Sequence, residues 1–384
     1  MSLSFFGMKP LSYSITSLTP IVTGDHDQRN AELQPAGILG SLRYQYWLLK
    51  AVQAWQATPE HPVYPPDSAN LPAKSNRNIE EFKNALSNAG SVVLLFGATN
   101  WKKMFRLEVA DAPKKTEHER GQSCSARSNN HTAPYHWQNF KLIFRQDRTS
   151  RIFDELSEGN GINLENELDS LMSFVHHYGW LGAAPQNGLG WVTVQGQEHS
   201  WLELPPDNPV FFAEDIELSA ECFHGLLGTL REFYHEKQKA AERMIRHYGS
   251  NKKWKEQKQE KDKKTRYEDS LVNISKNYPP IGYETRRWLK QKNFGYQFFD
   301  IDTNKKKDCN YFHVSHPLVA SPGNKTYRFR LRCCTRPNTP EDGRKKVTLL
   351  PGIAQVAVAN RLTPCQLIAR AYENLYSHAD CTGS

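Results

Sequence analysis

Disulfide spacing, metal-ligand clusters and long apolar runs are all missing from this chain. Its seven cysteines are an odd number without a Cys-x-x-Cys pair, and Cys333 and Cys334 are adjacent. That usage excludes a disulfide framework and fits a reducing compartment, so a cytoplasmic protein is expected. Adjacent cysteines cannot easily supply two ligands to one tetrahedral zinc, so neither a metal nor a cofactor is expected. No apolar run approaches the roughly 20 residues that span a bilayer, so no membrane partner is expected. The opening MSLSFFGMKPLSYS lacks the charged start and apolar core of a signal peptide. Nucleotide loops are absent as well: there is no G-x-x-x-x-G-K-[ST], and no Gly-x-Gly-x-x-Gly opens a helix.

What the chain does have is length, aromatics and positive charge. At 384 residues, 38% of them hydrophobic and 11% aromatic, it can build more than one core. The net charge of +8 and a pI near 9.0 point to an acidic partner, nucleic acid ahead of membrane.

The most informative stretch is Leu18 to Lys50. A strand over residues 11–23, with Pro20 near its end marking an edge or a bulge, leads through a polar loop into a helix from about Ala36 to Ala57. Leu39, Leu42, Tyr46 and Leu49 form one helical face, and Arg43, Trp47 and Lys50 form a second stripe at i, i+4 and i+7. The first stripe can dock on a sheet while the basic, aromatic edge faces a partner; the plainer alternative is a solvated edge with a half-buried tryptophan. Further on, Ile79 to Ala89 reads as a helix, and the apolar run SVVLLFG at 91–97 and Met104 to Ala110 read as strands. Asp111 to His136 is polar and almost without aliphatic residues, an exposed insertion. Phe140 to Arg145 is a strand, and Leu164 to Tyr178 is a helix ended by Gly179, a residue suited to left-handed C-terminal geometry.

The second informative stretch is GWLGAAPQNGLGWVTV, residues 179–194, whose four glycines allow another backbone to come close. After a proline-rich hinge at 204–209, Phe211 to Leu218 is a strand and Ala220 to Tyr248 is helical. Asn251 to Asp269 is too dense in Lys, Glu and Gln to bury a face. PIGYETRRWLK at 280–290 echoes the proline, glycine and arginine order of PAGILGSLRYQYWLLK, which suggests a duplicated unit with Arg286, Arg287 and Lys290 in related positions. In TYRFRLRCC, Arg328, Arg330 and Arg332 alternate with Tyr327, Phe329 and Leu331, placing three arginines on one face of a strand. That face can track a phosphate backbone, or it can protect a sheet edge. A short strand at 347–350, another at 353–358 and a helix at 364–376 close the order.

TPIVTG followed by Glu32 to Tyr44 resembles the opening of RAMP-superfamily subunits of type III CRISPR effector complexes, most closely the first subunit of the Cmr complex. There a Thr-Pro strand precedes a helix carrying Gly-x-Leu-Arg, here Gly40 to Arg43. Residues 179–194 are similar to the glycine-rich loop of the same family. The chain departs from the family pattern where Gln34 stands in place of the usual arginine, where Gln45 to Trp47 replaces an aromatic run ending in arginine, and where Ala183, Ala184, Gln186 and Asn187 replace the arginines or lysines common in the loop.

The resemblance implies an α+β chain of two tandem ferredoxin-like (RRM-like) domains, residues 1–204 and 210–384, with a glycine-rich loop and long polar insertions. It implies a non-catalytic subunit in antiviral defence that touches the 3′ region of the guide RNA (crRNA) and the target RNA paired with it, beside other RAMP subunits. The RNA contacts expected on charge and resemblance together are Arg29, Arg43, Trp47, Lys50, Gly182, Gln186, Asn187, Gly188, Gly190, Arg286, Arg287, Lys290, Arg328, Arg330 and Arg332. The competing reading is a metal-independent endoribonuclease that processes guide precursors, with His26 as base and Tyr44 or Lys50 assisting. A third is a protein adaptor without RNA contact.

Overall fold

The computed structural model describes residues 10–19, 21, 23, 32–66, 69, 71, 79–112, 139–146, 162–183, 190–198, 202, 204, 210–218, 312–314, 318–321, 326–334, 336–337 and 347–348. The first part of the chain runs β1 (Leu11–Ser17), α1 (Pro35–Ala57), α2 (Ile79–Asn88), α3 (Gly90–Phe96), β2 (Phe105–Ala110), β3 (Asn139–Gln146), α4 (Leu164–Tyr178) and β4 (Val192–Val194). The four strands form one antiparallel sheet in the order β2-β3-β1-β4. Apart from the extra α2 and α3, this is the β-α-β-β-α-β order of a ferredoxin-like unit, in which each helical crossover skips one strand.

The strands alternate as their sequences require. Tyr13, Ile15 and Ser17 of β1 and Phe140, Leu142 and Phe144 of β3 are buried, while Ser12, Thr16, Asn139, Lys141 and Arg145 are exposed. α1 starts on Pro35, whose fixed φ suits the first helical turn. α4 is capped at its start by Asn163, whose side chain accepts from the Asn166 N–H at 3.1 Å. Glu165 and Glu167 lie in its first turn, matching the helix dipole, and His176 and His177 lie in its last.

Three local expectations are corrected. The apolar run at 91–97 is not a strand but α3. Val92, Leu95 and Phe96 pack into the main core, while Val93 and Leu94 pack with Phe82, Leu86 and Leu71 on the opposite side. A helix buried on both sides needs apolar residues all round, which reads as a continuous run rather than a periodic one. Secondly, β1 is an inner strand and ends at Ser17, before Pro20; Pro20 lies outside the described residues. Thirdly, Gly179 has an extended backbone (φ −99°, ψ −169°), so the left-handed exit expected there is absent.

A second sheet is built from β5 (Phe211–Leu218), β6 (Phe312–Val314), β7 (Leu318–Ser321) and β8 (Thr326–Cys334). β8 is its inner strand, paired antiparallel with β5 along one side and with β6 and β7 along the other. β9 (Arg336–Pro337) and β10 (Val347–Thr348) pair with each other. Phe211 joins the two sheets, its ring centroid 5.3 Å from Phe174 and 6.1 Å from Tyr178 of α4. Expectations for the hinge at 205–209, most of the insertion at 111–136, and everything between 219 and 311 or beyond 348 lie outside the described residues. Among the described residues no helix is long and apolar enough to cross a membrane.

The core also carries two titratable hydroxyls. Burial raises Tyr46 far above its ordinary value, reinforced by the Glu167 carboxylate to which it donates at 2.9 Å. Tyr13 is raised likewise by burial and by its bond to Asp169 at 2.5 Å. Unfolded tyrosines ionise near pH ~10 while these two resist, so their contribution to stability is complete below that pH and is lost above it. The melting temperature should therefore fall as pH rises above ~10, less steeply in Tyr46→Phe. Full tyrosinate absorbance from a still-folded chain would contradict this.

Candidate nucleic-acid interface

The glycine-rich stretch leaves the end of α4 and returns into β4, and its two stems are tied to each other and to β1. The Leu181 N–H donates to the Gly190 carbonyl at 2.7 Å. The Leu18 and Thr19 N–H groups both donate to the Trp191 carbonyl, at 2.8 and 3.2 Å, and the Trp191 N–H donates to Thr19 Oγ1 at 2.9 Å. Gly182 and Gly190 both have φ near +82°, the left-handed region that favours glycine, and a Cβ on Gly190 would collide with the Leu181 carbonyl.

The same stems are bolted to α1. The Gln45 side chain, fully buried, donates through Nε2 to the Trp180 carbonyl and to the Ser41 carbonyl at 3.1 Å, and accepts the Trp180 N–H at 2.9 Å. Ser41 Oγ accepts the Gly182 N–H at 3.0 Å and donates to the Ile38 carbonyl at 2.8 Å. This explains Gly179, where a Cβ would collide with Gln45 Oε1. At the start of α1, a Cβ on Gly37 would collide with the Thr23 carbonyl, and Thr23 Oγ1 accepts the Gln34 N–H at 2.9 Å. The loop after β1, the first turns of α1 and the glycine-rich stems therefore form one joint. Gly40, one turn along α1, has nothing within 4 Å of where a Cβ would sit.

The outward basic stripe expected on α1 is turned inward. Trp47 is buried, its indole N–H donating to the Pro65 carbonyl at 2.8 Å and its ring stacked 6.3 Å from Tyr44. Arg43 donates to the Gly97 carbonyl at 2.7 Å and the Phe96 carbonyl at 3.5 Å. Lys50 pairs with Glu167 at 2.6 Å and lies over the Tyr46 ring. The helix packs against α3, α4 and strand β2 of its sheet, so little of its circumference is left for a partner.

Two of the three arginines of β8 are likewise held inward. β8 is an inner strand, so its arginines guard no sheet edge. Arg328 bonds Glu217 at 2.6 Å near the surface. Arg330 donates to the His176 carbonyl at 3.2 Å and faces Asp215 at 3.4 Å. Arg332, 1% exposed, donates to the Tyr178 carbonyl at 2.7 Å and the His177 carbonyl at 2.8 Å. These are final-turn carbonyls of α4, which have no partner within the helix. The imidazole of His177 is held below its ordinary pKa, first by burial and then by its neighbours His176, Arg330 and Arg332.

Of the remaining sequence-predicted positions, Gly182 and Gly190 lie in the stems. Arg29, Gln186, Asn187, Gly188, Arg286, Arg287 and Lys290, with the base candidate His26, lie outside the described residues. Sequence reasoning missed Gln45 as an organising residue, although its position carried a signal. It lies on the line Ile38, Leu42, Leu49, Val52, where an uncharged amide among apolar residues implies a buried hydrogen-bonding task.

Two substitutions test this geometry in the free protein. Gln45→Leu strands the Trp180 N–H and carbonyl, a loss of about 1–3 kcal/mol for each buried group left unpaired, measured by denaturant unfolding. Gly40→Ala should stabilise the chain by roughly 0.5–1 kcal/mol, because the helix interior gains a better former without a clash.

Residues 14–193 match the family model of the RAMP superfamily, a span that starts within β1 and ends within β4 and so takes in nearly all of the β-α-β-β-α-β unit. No curated protein and no solved structure matches the chain. The match supports placing the first unit in the RAMP superfamily, which is linked to CRISPR-associated RNA-binding proteins.

Proposed function

We propose that this chain is a non-catalytic RNA-binding subunit of a type III CRISPR ribonucleoprotein, of the kind represented by the first subunit of the Cmr complex. In this reading the second sheet belongs to a second ferredoxin-like unit, so that residues 1–204 and 210–384 form a tandem pair. The subunit sits in the cytoplasm beside other RAMP subunits and contacts the 3′ region of the guide RNA and the target RNA paired with it.

The observation that carries the reading is the double anchoring of the glycine-rich stems, on β1 through Thr19 and on α1 through Ser41 and Gln45. Two fixed stems limit where the tip between them can reach, and glycine in its sequence lets another chain approach the backbone. Gln186, Asn187 and Gly188 are the residues assigned to that tip, with Arg29 in the loop before α1 and Arg286, Arg287 and Lys290 supplying positive charge. Arg43, Trp47, Lys50, Arg330 and Arg332 are reassigned to holding the fold, because each already spends its polar head inside the protein. No catalytic residue is assigned.

Purification of the full chain from its own cells, followed by sequencing of bound RNA, should recover guide RNA. Gly188→Val should lower RNA affinity at unchanged melting temperature; a lower melting temperature with normal affinity of the folded fraction would refute the binding role. Replacing Arg286, Arg287 and Lys290 with alanine should flatten the salt dependence of binding by about 0.7 per lost phosphate contact on single-stranded RNA, whereas Arg43→Ala should cost stability and leave the slope alone. RNA cleavage that disappears in His26→Ala would overturn the non-catalytic assignment in favour of an endoribonuclease.

A further inference from the structure

We propose that Arg332, on the inner strand of the second sheet, is a positioning residue for the two stems of the glycine-rich stretch of the first unit, so that docking of the second sheet fixes both stems. The inference rests on the RNA-binding reading only for its functional consequence; the positioning itself rests on geometry.

One guanidinium reaches both stems of the loop. On the outgoing side Arg332 donates through Nε to the Tyr178 carbonyl at 2.7 Å and through an Nη to the His177 carbonyl at 2.8 Å, immediately before Gly179. On the returning side its centre lies 4.9 Å from the ring centroid of Trp191, immediately after Gly190. The Tyr178 ring is 5.9 Å away, and Asp215 of β5 approaches within 3.7 Å. His313 of β6, paired with Arg332 in the sheet register, sets its ring edge-on to Trp180 at 4.9 Å and 87°, so the outgoing stem is held from the second sheet at two places.

Physical chemistry favours this residue type here. The last carbonyls of a helix lack partners and carry the negative end of its dipole, and a buried cation needs such partners to offset its lost hydration. The planar fork of arginine can donate to two carbonyls while its face covers an indole; an ammonium is a single point and can do only part of this. Arg330, bonded to the His176 carbonyl one residue further back, steadies the helix end.

The test uses the full chain carrying Arg332→Gln or Arg332→Lys, with two readouts. Without RNA, amide hydrogen exchange at Leu181 and Trp191 should quicken by about tenfold or more in Arg332→Gln, the equivalent of losing a charge-assisted bond, and by less in Arg332→Lys, while amides in the middle of α1 keep their protection. Loop amides that exchange as in the unsubstituted chain would overturn the proposal. If Arg332→Gln does not fold, Arg332→Lys alone decides, because it keeps the charge and gives up only the fork.

With a labelled single-stranded oligouridylate as probe, affinity should fall about tenfold at an unchanged salt slope. A slope shallower by about 0.7 would mean that Arg332 itself meets phosphate, which also overturns the proposal. If the unsubstituted chain binds no RNA, the RNA-binding reading fails while the exchange measurement still decides the positioning role.

Discussion

The joint of this molecule depends on one buried amide. Gln45 is fully enclosed, and its side chain satisfies both the N–H and the carbonyl of Trp180, the second residue of the glycine-rich stretch. A buried amide is tolerated only when its donors and acceptors are matched, and a peptide unit turned out of a helix end needs the same. Each meets the other's need. The exchange dictates the exit of α4: Gly179 must be extended rather than left-handed, and it must be glycine because Gln45 Oε1 occupies the space of a Cβ. From that point Gly182 follows onto Ser41, and Gly190 turns back under Leu181.

Cations complete the same construction from inside. Arg43 holds the end of α3, Lys50 meets Glu167 beside Tyr46, and Arg330 and Arg332 take the last carbonyls of α4. A chain with net charge +8 therefore spends several of its positive groups on buried helix ends and internal ion pairs. Charge counted along a sequence overstates the charge shown to a partner, because a guanidinium that caps carbonyls in a dry site has exchanged its hydration for them.

The arrangement links the two sheets to one surface. The loop stems lie between α1 and the second sheet, with Trp180 touching Tyr44 on one side and His313 on the other, and Trp191 covered by Arg332. A backbone-presenting loop gains accuracy when its ends are fixed by rigid elements, and here these come from distant parts of the chain.

The sequence by itself determined the elements whose periodicity is local. The alternation in β1, β3 and β8 and the 3.6-residue stripes of α1 and α4 marked those segments, the opening motif carried the resemblance to the RAMP superfamily, and the glycine spacing at 179–194 marked a place of close approach. Only the tertiary structure decided what each face meets. Period alone cannot tell an outward basic stripe from one whose heads reach inward, so Arg43, Trp47 and Lys50 read as a partner surface until α3, α4 and the chain near Pro65 closed around them. A continuous apolar run fits a buried strand and a doubly buried helix equally well, and α3 became a helix because core lay on both sides of it. The arginines of β8 shared a face as their spacing required. That Arg330 and Arg332 point at the end of α4 followed from strand pairings between residues more than a hundred positions apart, which no local pattern encodes.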